Sequence, residues 1–160
     1  MAEVSFDSLG FAYVRVYIKP KDTPTMRYAS YKVDSGANRT TVSHKELLRL
    51  GYDEEWIKSG KLLTGDDRPT LASGEPVNDC YQVVLPEINI GGHVGYNWPF
   101  LTGLSVSFRF LLGTDTMRYF DWVFDYKNGI CRYELITDKR QSSFNQPGQS
   151  IHSLDEIRGI

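Results

Sequence analysis

The stretch Asp34-Ser35-Gly36-Ala37 follows directly on a strand-like run, residues 29–33, and decides how the rest of the chain can be interpreted. Gly36 lets the backbone turn tightly and approach other groups closely, while Ser35 adds a hydroxyl that can donate or accept a hydrogen bond. Ala37 keeps the turn free of bulky side chains. This pattern predicts a single carboxylate, that of Asp34, held on a tight turn at a strand end and presented outward.

Size and composition indicate one globular domain with a buried core, since the chain has 160 residues, of which 41% are hydrophobic and 24% charged. A formal net charge of −2 argues against nucleic acid as the main partner, because phosphate binding needs clustered cations. There is no apolar run near the roughly 20 residues that span a bilayer, and no secretory-signal pattern. Cys80 and Cys131 are far apart and predict reduced thiols. We therefore expect a cytoplasmic protein without a membrane partner.

Alternating aromatic and β-branched residues predict a mainly β fold. The first two strands, at about 11–18 and 26–33, flank a turn with two prolines, so the second arm of this hairpin delivers Asp34. Asn128-Gly129 between two aromatic runs predicts a final hairpin. Shorter strands are predicted at 62–64, 70–72, 80–85, 87–90 and 108–112.

Capping signals predict short helices beside these strands. Ser43 can cap a helix that carries a glutamate three residues further on and that ends before Gly51. Residues 53–59 form a second candidate helix, and Thr114 is the predicted cap of a third at 114–120. Each of these helices is short, so the expected fold remains mainly β.

The order of these motifs resembles that of the retropepsins, the single-lobed aspartic proteases of the retroviral type. Asp34-Ser35-Gly36-Ala37 is similar to the Asp-Thr/Ser-Gly-Ala turn that carries the catalytic carboxylate in that family. The later stretch Leu111-Leu112-Gly113-Thr114-Asp115 looks like the Leu-Leu-Gly-x-Asp variant of its cellular and bacterial members. Between the two motifs, residues 70–77 occupy the place of the family's flap, the mobile hairpin that closes over substrate.

The resemblance covers residues 11 to 135 and implies a retropepsin-like fold: mainly β, closed and barrel-like, with a flap hairpin and one or two short helices. We expect this domain to span residues 1–136. The polar residues 137–160 predict a C-terminal tail or a dimer arm.

The resemblance also implies a role for each motif residue. Asp34 is the expected catalytic acid and base, and no metal ion or other cofactor is called for. Support of the active site is assigned to Ser35, Gly36, Ala37, Leu111, Leu112 and Gly113, and the substrate-binding flap to Leu71, Ala72, Ser73 and Gly74.

The chain contains one Asp-Ser/Thr-Gly motif, at Asp34, and no second acid turn that matches it. Peptide hydrolysis by carboxylates needs two of them, because one activates water while the other protonates the substrate. Two close carboxylates share one proton and titrate as a pair. A chain of 160 residues is too short for two such lobes, so the second carboxylate is expected from a second copy across a two-fold axis. The predicted activity is that of a homodimeric aspartic endopeptidase acting on an extended peptide or protein substrate.

Two other functions stay open at this level. A binding module could keep the fold and hold extended peptides without turnover, because fold does not guarantee activity. Asp34 as a phosphoryl-type nucleophile would call for a second Asp two residues on or a phosphate-cradling loop, and neither is present. Asp115 is expected to have a structural role in the first turn of a helix, and Arg39 either steers substrate or forms a surface ion pair. The stretch 91–107 has no assignment.

Overall fold

The structure is a computed structural model that describes residues 1–136, so the predicted tail or dimer arm at 137–160 lies outside the described residues. Nine strands and three α-helices follow one another in the described part of the chain, together with a short 3₁₀ turn at Gly65–Asp67. In chain order they are β1 (Ala2–Ser5), β2 (Tyr13–Ile18), β3 (Arg27–Val33), α1 (His44–Arg49), α2 (Glu54–Lys58), β4 (Lys61–Leu62), β5 (Cys80–Ile90), β6 (His93–Gly103), β7 (Leu111–Leu112), α3 (Thr114–Met117), β8 (Phe120–Asp125) and β9 (Ile130–Leu135).

The strands form two sheets, which confirms the prediction of a mainly β fold. The larger sheet has the order β4-β5-β2-β3-β7, with β6 paired to β5, and the smaller has the order β1-β9-β8. The expected closure into a barrel is not found, since neither sheet closes on itself within residues 1–136. The strands at the two ends of this order, β4 and β7, pair with β5 and β3 and not with each other.

The β2–β3 hairpin shows how side-chain alternation places Asp34. The two strands pair antiparallel, from Tyr13 opposite Lys32 to Ile18 opposite Arg27. Val14, Val16 and Ile18 point into the core, while the residues between them face outward. Because β3 ends at Val33, the next residue is delivered to the end of the sheet, as predicted.

Local capping signals account for the first two helices. Ser43 accepts the N–H of Glu46 at 3.1 Å, and Gly51 follows the helix with a positive φ of 91°. The third helix differs from its prediction, because its N-cap is Gly113 and no side chain caps it. Thr114 is the first residue of α3, which ends at Met117 because the chain enters β8 at Phe120.

Two strands were missed by the sequence patterns. The 11-residue strand β6 pairs with β5 along most of its length, and its last six residues, Trp98 to Gly103, are all buried. A strand buried on both faces loses the alternation by which strands are recognised, and Gly95 and Pro99 weaken its β signal further. The four residues of β1 form a strand through their pairing with β9, near the other end of the described chain.

Two hydrophobic clusters hold the described part of the chain together. The main core joins residues of both sheets with α1 and α2, and fully buried Tyr31, Phe100 and Tyr119 are among its largest side chains. A smaller cluster contains Leu63, Val77, Cys80 and Leu101. Both cysteines are free and buried, as predicted, and burial raises the pKa of Cys80 to about 11. Among residues 1–136, no helix is long and apolar enough to cross a membrane.

Candidate active site

Asp34 lies directly after β3, where the parallel ladder between β3 and β7 ends. Its backbone N–H donates to the carbonyl oxygen of Leu112 at 3.0 Å, and one of its carboxylate oxygens accepts the N–H of Gly36 at 2.9 Å. The N–H of Ala37 donates to the carbonyl of Asp34 at 3.1 Å and closes the turn. Asp34 is half-buried, whereas Ser35 and Gly36 are exposed. The carboxylate is therefore held by its own turn while part of it remains accessible.

The predicted support segment 111–113 lies beside this turn. Leu112 is fully buried, and Leu111 exchanges two hydrogen bonds with Thr41: its carbonyl accepts the Thr41 N–H at 3.0 Å, and its own N–H donates to Thr41 Oγ1 at 3.1 Å. One residue after the segment, the N–H of Thr114 donates to the carbonyl of Ala37 at 2.9 Å. The fold thus brings together the Asp34 turn and the segment 111–113, which are more than 70 residues apart in the chain.

Gly113 is packed so closely that only glycine fits. A Cβ atom at this position would lie 2.6 Å from both the carbonyl carbon and the carbonyl oxygen of Arg39. Its φ of −88° is accessible to any residue, so the requirement is one of space and not of backbone conformation. The glycine therefore allows the segment after β7 to touch the backbone of the Asp34 loop, which we define as residues 34–40.

A buried hydrogen-bonded cluster anchors the far end of the Asp34 loop. Thr40 donates its backbone N–H to Oδ2 of Asp115 at 3.1 Å and its hydroxyl to Oδ1 at 2.7 Å. The same hydroxyl accepts the N–H of Gly113 at 3.1 Å and lies 2.8 Å from the hydroxyl of Thr116. Trp98 Nε1 in turn donates to Thr116 Oγ1 at 2.9 Å. Thr40, Asp115 and Thr116 are at most 7% exposed.

Asp115 lies in the first turn of α3, as its predicted structural role requires. Burial raises the pKa of its carboxyl, and the hydrogen bonds from Thr40 oppose that rise because they favour the charged form. The connection of Asp115 to Thr40, Thr116 and Trp98 was not predicted from the sequence. The sequence signal for this cluster was the acid two residues after the Leu-Leu-Gly stretch, Asp115. Its hydrogen-bond partner could not be identified from the sequence, because the chain contains many threonines.

Arg39 connects the Asp34 loop to the larger sheet from another side. Its Nη1 donates to Oε1 of Gln82 at 2.8 Å, and Gln82 is a buried residue near the start of β5. A guanidinium is a fixed, planar donor group, so this bond restricts where the loop can lie relative to β5. The positive charge of Arg39 also favours the charged form of Asp115, which opposes the effect of burial on that pKa.

The predicted flap residues lie at the tip of a small hairpin, residues 70–76. Thr70 and Pro76 form an antiparallel bridge, and the N–H of Leu71 donates to the carbonyl of Glu75 at 2.7 Å. Gly74 turns the chain with a φ of 88° and donates its N–H to the carbonyl of Leu71 at 2.9 Å. Leu71, Ala72, Ser73 and Gly74 are all exposed. The predicted hairpin is present, and within residues 1–136 the hydrogen bonds of its tip are local backbone bonds.

Two cavities of the molecule lie away from Asp34. One of about 360 Å³ is lined by residues of the smaller sheet and its surroundings, among them His93, Phe120 and Tyr133. The other, of about 460 Å³, is lined by residues of α2, β4 and β5, among them Trp56 and Gln82. Within residues 1–136, no group of three or more His, Cys, Asp or Glu side chains has the arrangement of a metal site.

Comparison with known proteins identifies the fold. No protein-family model matches the sequence, and no curated protein matches it. Among solved structures, a retropepsin-like aspartic protease from Rickettsia conorii matches with a TM-score of 0.58 and 18% identity, over 81% of this chain and 87% of that chain. The retroviral protease-like domain of Ddi1 from Leishmania major matches with a TM-score of 0.46 and 14% identity, over 79% of this chain and 90% of that chain. At 18% identity, the first likeness concerns the backbone architecture. This chain has a retropepsin-like fold.

Proposed function

We propose that this protein is an aspartic-type endopeptidase that is active as a homodimer, with one Asp34 contributed by each protomer. The observation that carries the proposal is the geometry of Asp34, a half-buried carboxylate that its own turn and Leu112 hold at the end of β3. A retropepsin-like fold around this turn supports it. A single described protomer has one such acid turn, which is half of what carboxylate-catalysed peptide hydrolysis requires.

The proposed chemistry uses two Asp34 carboxylates that share one proton. The ionised carboxylate takes a proton from a water molecule as that water attacks the peptide carbonyl, and the protonated carboxyl supplies a proton to the carbonyl oxygen. The resulting gem-diol then collapses with cleavage of the C–N bond: the carboxyl that took the proton from water donates it to the leaving amine nitrogen, and the other carboxylate takes a proton from a diol hydroxyl, so the pair again holds one proton. Because one proton on the pair is required, the rate is expected to pass through an optimum as pH rises.

The 70–76 hairpin is the proposed cover of the substrate. An extended peptide can form main-chain hydrogen bonds with a hairpin that closes over it, and closure excludes water from the reacting groups. Exposed backbone at the tip and the absence of a large side chain at Ala72, Ser73 and Gly74 fit this role. Residues 137–160 are proposed as a tail or as an arm of the dimer.

The first test of this function is the variant Asp34→Asn, with Asp22→Asn as the matched control on an exposed loop. We expect Asp34→Asn to lower peptide hydrolysis by about 10³-fold or more, because an amide cannot serve as the general base. The control is expected to retain wild-type activity. Cleavage at an undiminished rate by Asp34→Asn would contradict the role of this residue. Binding of peptides by wild-type protein without any cleavage would favour the alternative of a peptide-binding module.

A mixing experiment tests whether the site is shared between two protomers. Wild-type and Asp34→Asn proteins are combined in equal amounts, allowed to exchange subunits, and assayed at constant total concentration. If both carboxylates are needed, only wild-type homodimers cleave, so about one quarter of the wild-type activity remains. Activity near one half would mean that each protomer works alone. Sedimentation velocity at the assay concentration establishes whether dimers are present.

A further inference from the structure

The buried cluster behind the Asp34 loop is a directional chain of hydrogen bonds. Asp115 as a carboxylate can only accept, so the single hydroxyl proton of Thr40 is committed to its Oδ1 at 2.7 Å. At the 2.8 Å contact between the two hydroxyls, Thr116 must then be the donor. Trp98 Nε1 can only donate, and it donates to Thr116 Oγ1. The chain therefore runs from Trp98 through Thr116 and Thr40, and it ends on Asp115.

The Asp115 end of this chain leaves little freedom for other side chains. Asp115 accepts twice from one residue, through Thr40 Oγ1 and the Thr40 backbone N–H, and it is 7% exposed. An asparagine could still accept one of these bonds, but its amide NH₂ would then face the other Thr40 donor. The buried cluster thus requires an acceptor on both oxygens, which a carboxylate provides and an amide does not.

We propose that Asp115 is a positioning residue for Asp34, acting through Thr40, in the peptide hydrolysis proposed above; the inference rests on that proposed function. The Asp34 loop is joined to residues 112–115 at both of its ends and in its middle: Asp34 N–H to the carbonyl of Leu112, Thr114 N–H to the carbonyl of Ala37, and Gly113 N–H to the hydroxyl of Thr40. Asp115 holds that hydroxyl in place and thereby fixes the last of these bonds.

The functional consequence follows from how steeply catalysis depends on placement. A shift of about 1 Å in a reacting group, caused by a change remote from the chemistry, can lower a rate by about 10²-fold. Asp34 must lie close enough to a second carboxylate to share a proton with it. If Thr40, six residues away, is free to move, the two Asp34 carboxylates are correctly placed in a smaller fraction of the molecules. Contacts that the substrate makes away from the Asp34 loop are less affected, so the effect falls on kcat more than on KM.

The experiment compares Asp115→Asn, Thr40→Val and Thr40→Ser, with Asp22→Asn as the control for an Asp-to-Asn change. Asp115→Asn and Thr40→Val are expected to lower kcat by about 10- to 100-fold with KM changed by less than about threefold. Thr40→Ser keeps the hydroxyl and is expected to stay within about threefold of wild type. The double variant Asp115→Asn with Thr40→Val should be no worse than the poorer single variant, because both changes break the same connection.

A second readout does not depend on activity. Amide hydrogen exchange of residues 34–40 and of Gly113, measured without substrate, should be faster by about 10-fold or more in Asp115→Asn than in Asp22→Asn. If wild-type protein cleaves no peptide, the proposed function fails while this measurement still decides the positioning role. Equal exchange and equal kcat in Asp115→Asn and Asp22→Asn would overturn the inference, as would additive effects of Asp115→Asn and Thr40→Val. If Asp115→Asn does not fold, equal kcat in Thr40→Val and Thr40→Ser overturns it.

Discussion

The Asp34 loop and the 70–76 hairpin are held in opposite ways, although both belong to the same proposed site. The Asp34 loop is anchored by the buried side chains of Thr40, Asp115 and Thr116. The 70–76 hairpin is exposed along its whole length and is closed by its own backbone hydrogen bonds. Regions with many buried contacts open at a free energy near that of global unfolding, whereas exposed turns open readily. We therefore expect the proposed site to combine a firmly placed carboxylate with a hairpin that opens readily.

Sequence distance underlies this difference. Thr40 bonds to Asp115 across 75 residues and to Gly113 across 73, so the Asp34 loop reaches its final geometry only when the whole described fold is assembled. Leu71 and Glu75 are four residues apart and close the hairpin without help from the rest of the chain. Long-range contacts come at a higher entropic cost of loop closure, and they depend on cooperative folding. Damage to the core should therefore disturb Asp34 before it disturbs the hairpin.

The largest expected difference in stability between the two regions comes from truncating one leucine in each of them. Leu112→Ala removes a fully buried side chain from the residue that accepts the Asp34 N–H, and it should lower the free energy of unfolding by about 2–5 kcal/mol. Leu71→Ala removes a side chain that is 38% exposed and should change it by less than about 1 kcal/mol. Urea denaturation at one fixed protein concentration measures both, because a dimer's stability depends on concentration. Equal losses in the two variants would show that the regions do not differ as proposed.

A smaller contrast is expected from adding one methyl group to a glycine in each region. Gly113→Ala would press a Cβ against the backbone of Arg39 at 2.6 Å and should destabilise by about 1–3 kcal/mol, with loss of peptide hydrolysis. Gly74→Ala meets no atom within 4 Å, and its cost comes from a positive φ of 88°, about 1 kcal/mol confined to the hairpin. Denaturation curves and hydrolysis rates of the two variants check this order. A Gly113→Ala protein with wild-type stability would contradict the close packing.

The smallest expected effect concerns the pH dependence of stability. Burial raises the pKa of Asp115 in the folded chain, so the folded state holds this proton more tightly than the unfolded state. The contribution of Asp115 to stability is then fully present below its unfolded pKa and is lost as pH rises through the raised folded value. Between about pH 4 and 8, the wild type should therefore lose unfolding free energy relative to Asp115→Asn as pH rises. Parallel pH profiles of the two proteins would contradict the raised pKa.

Several elements could be predicted because their signals are local. Ser43 caps α1 as predicted, α2 lies within the predicted segment 53–59, and Asn128-Gly129 turns between β8 and β9. The β2–β3 hairpin and the position of Asp34 follow from side-chain alternation over a few residues. The third helix was harder, because its cap is Gly113, whose selection depends on its contact with Arg39. Strand β6 was missed because burial on both faces removes alternation.

The sequence by itself determined that the chain carries one acid turn, Asp34-Ser35-Gly36, at the end of a strand, within a mainly β chain. Such information is local, since a turn and a strand depend on neighbouring residues. Only the tertiary structure decided which residues hold that turn: Leu112 through its carbonyl, Arg39 against Gly113, and Thr40 on Asp115. The physical reason is that hydrogen bonds and steric fit are formed between groups that the folded chain brings together, and sequence spacing does not specify those partners.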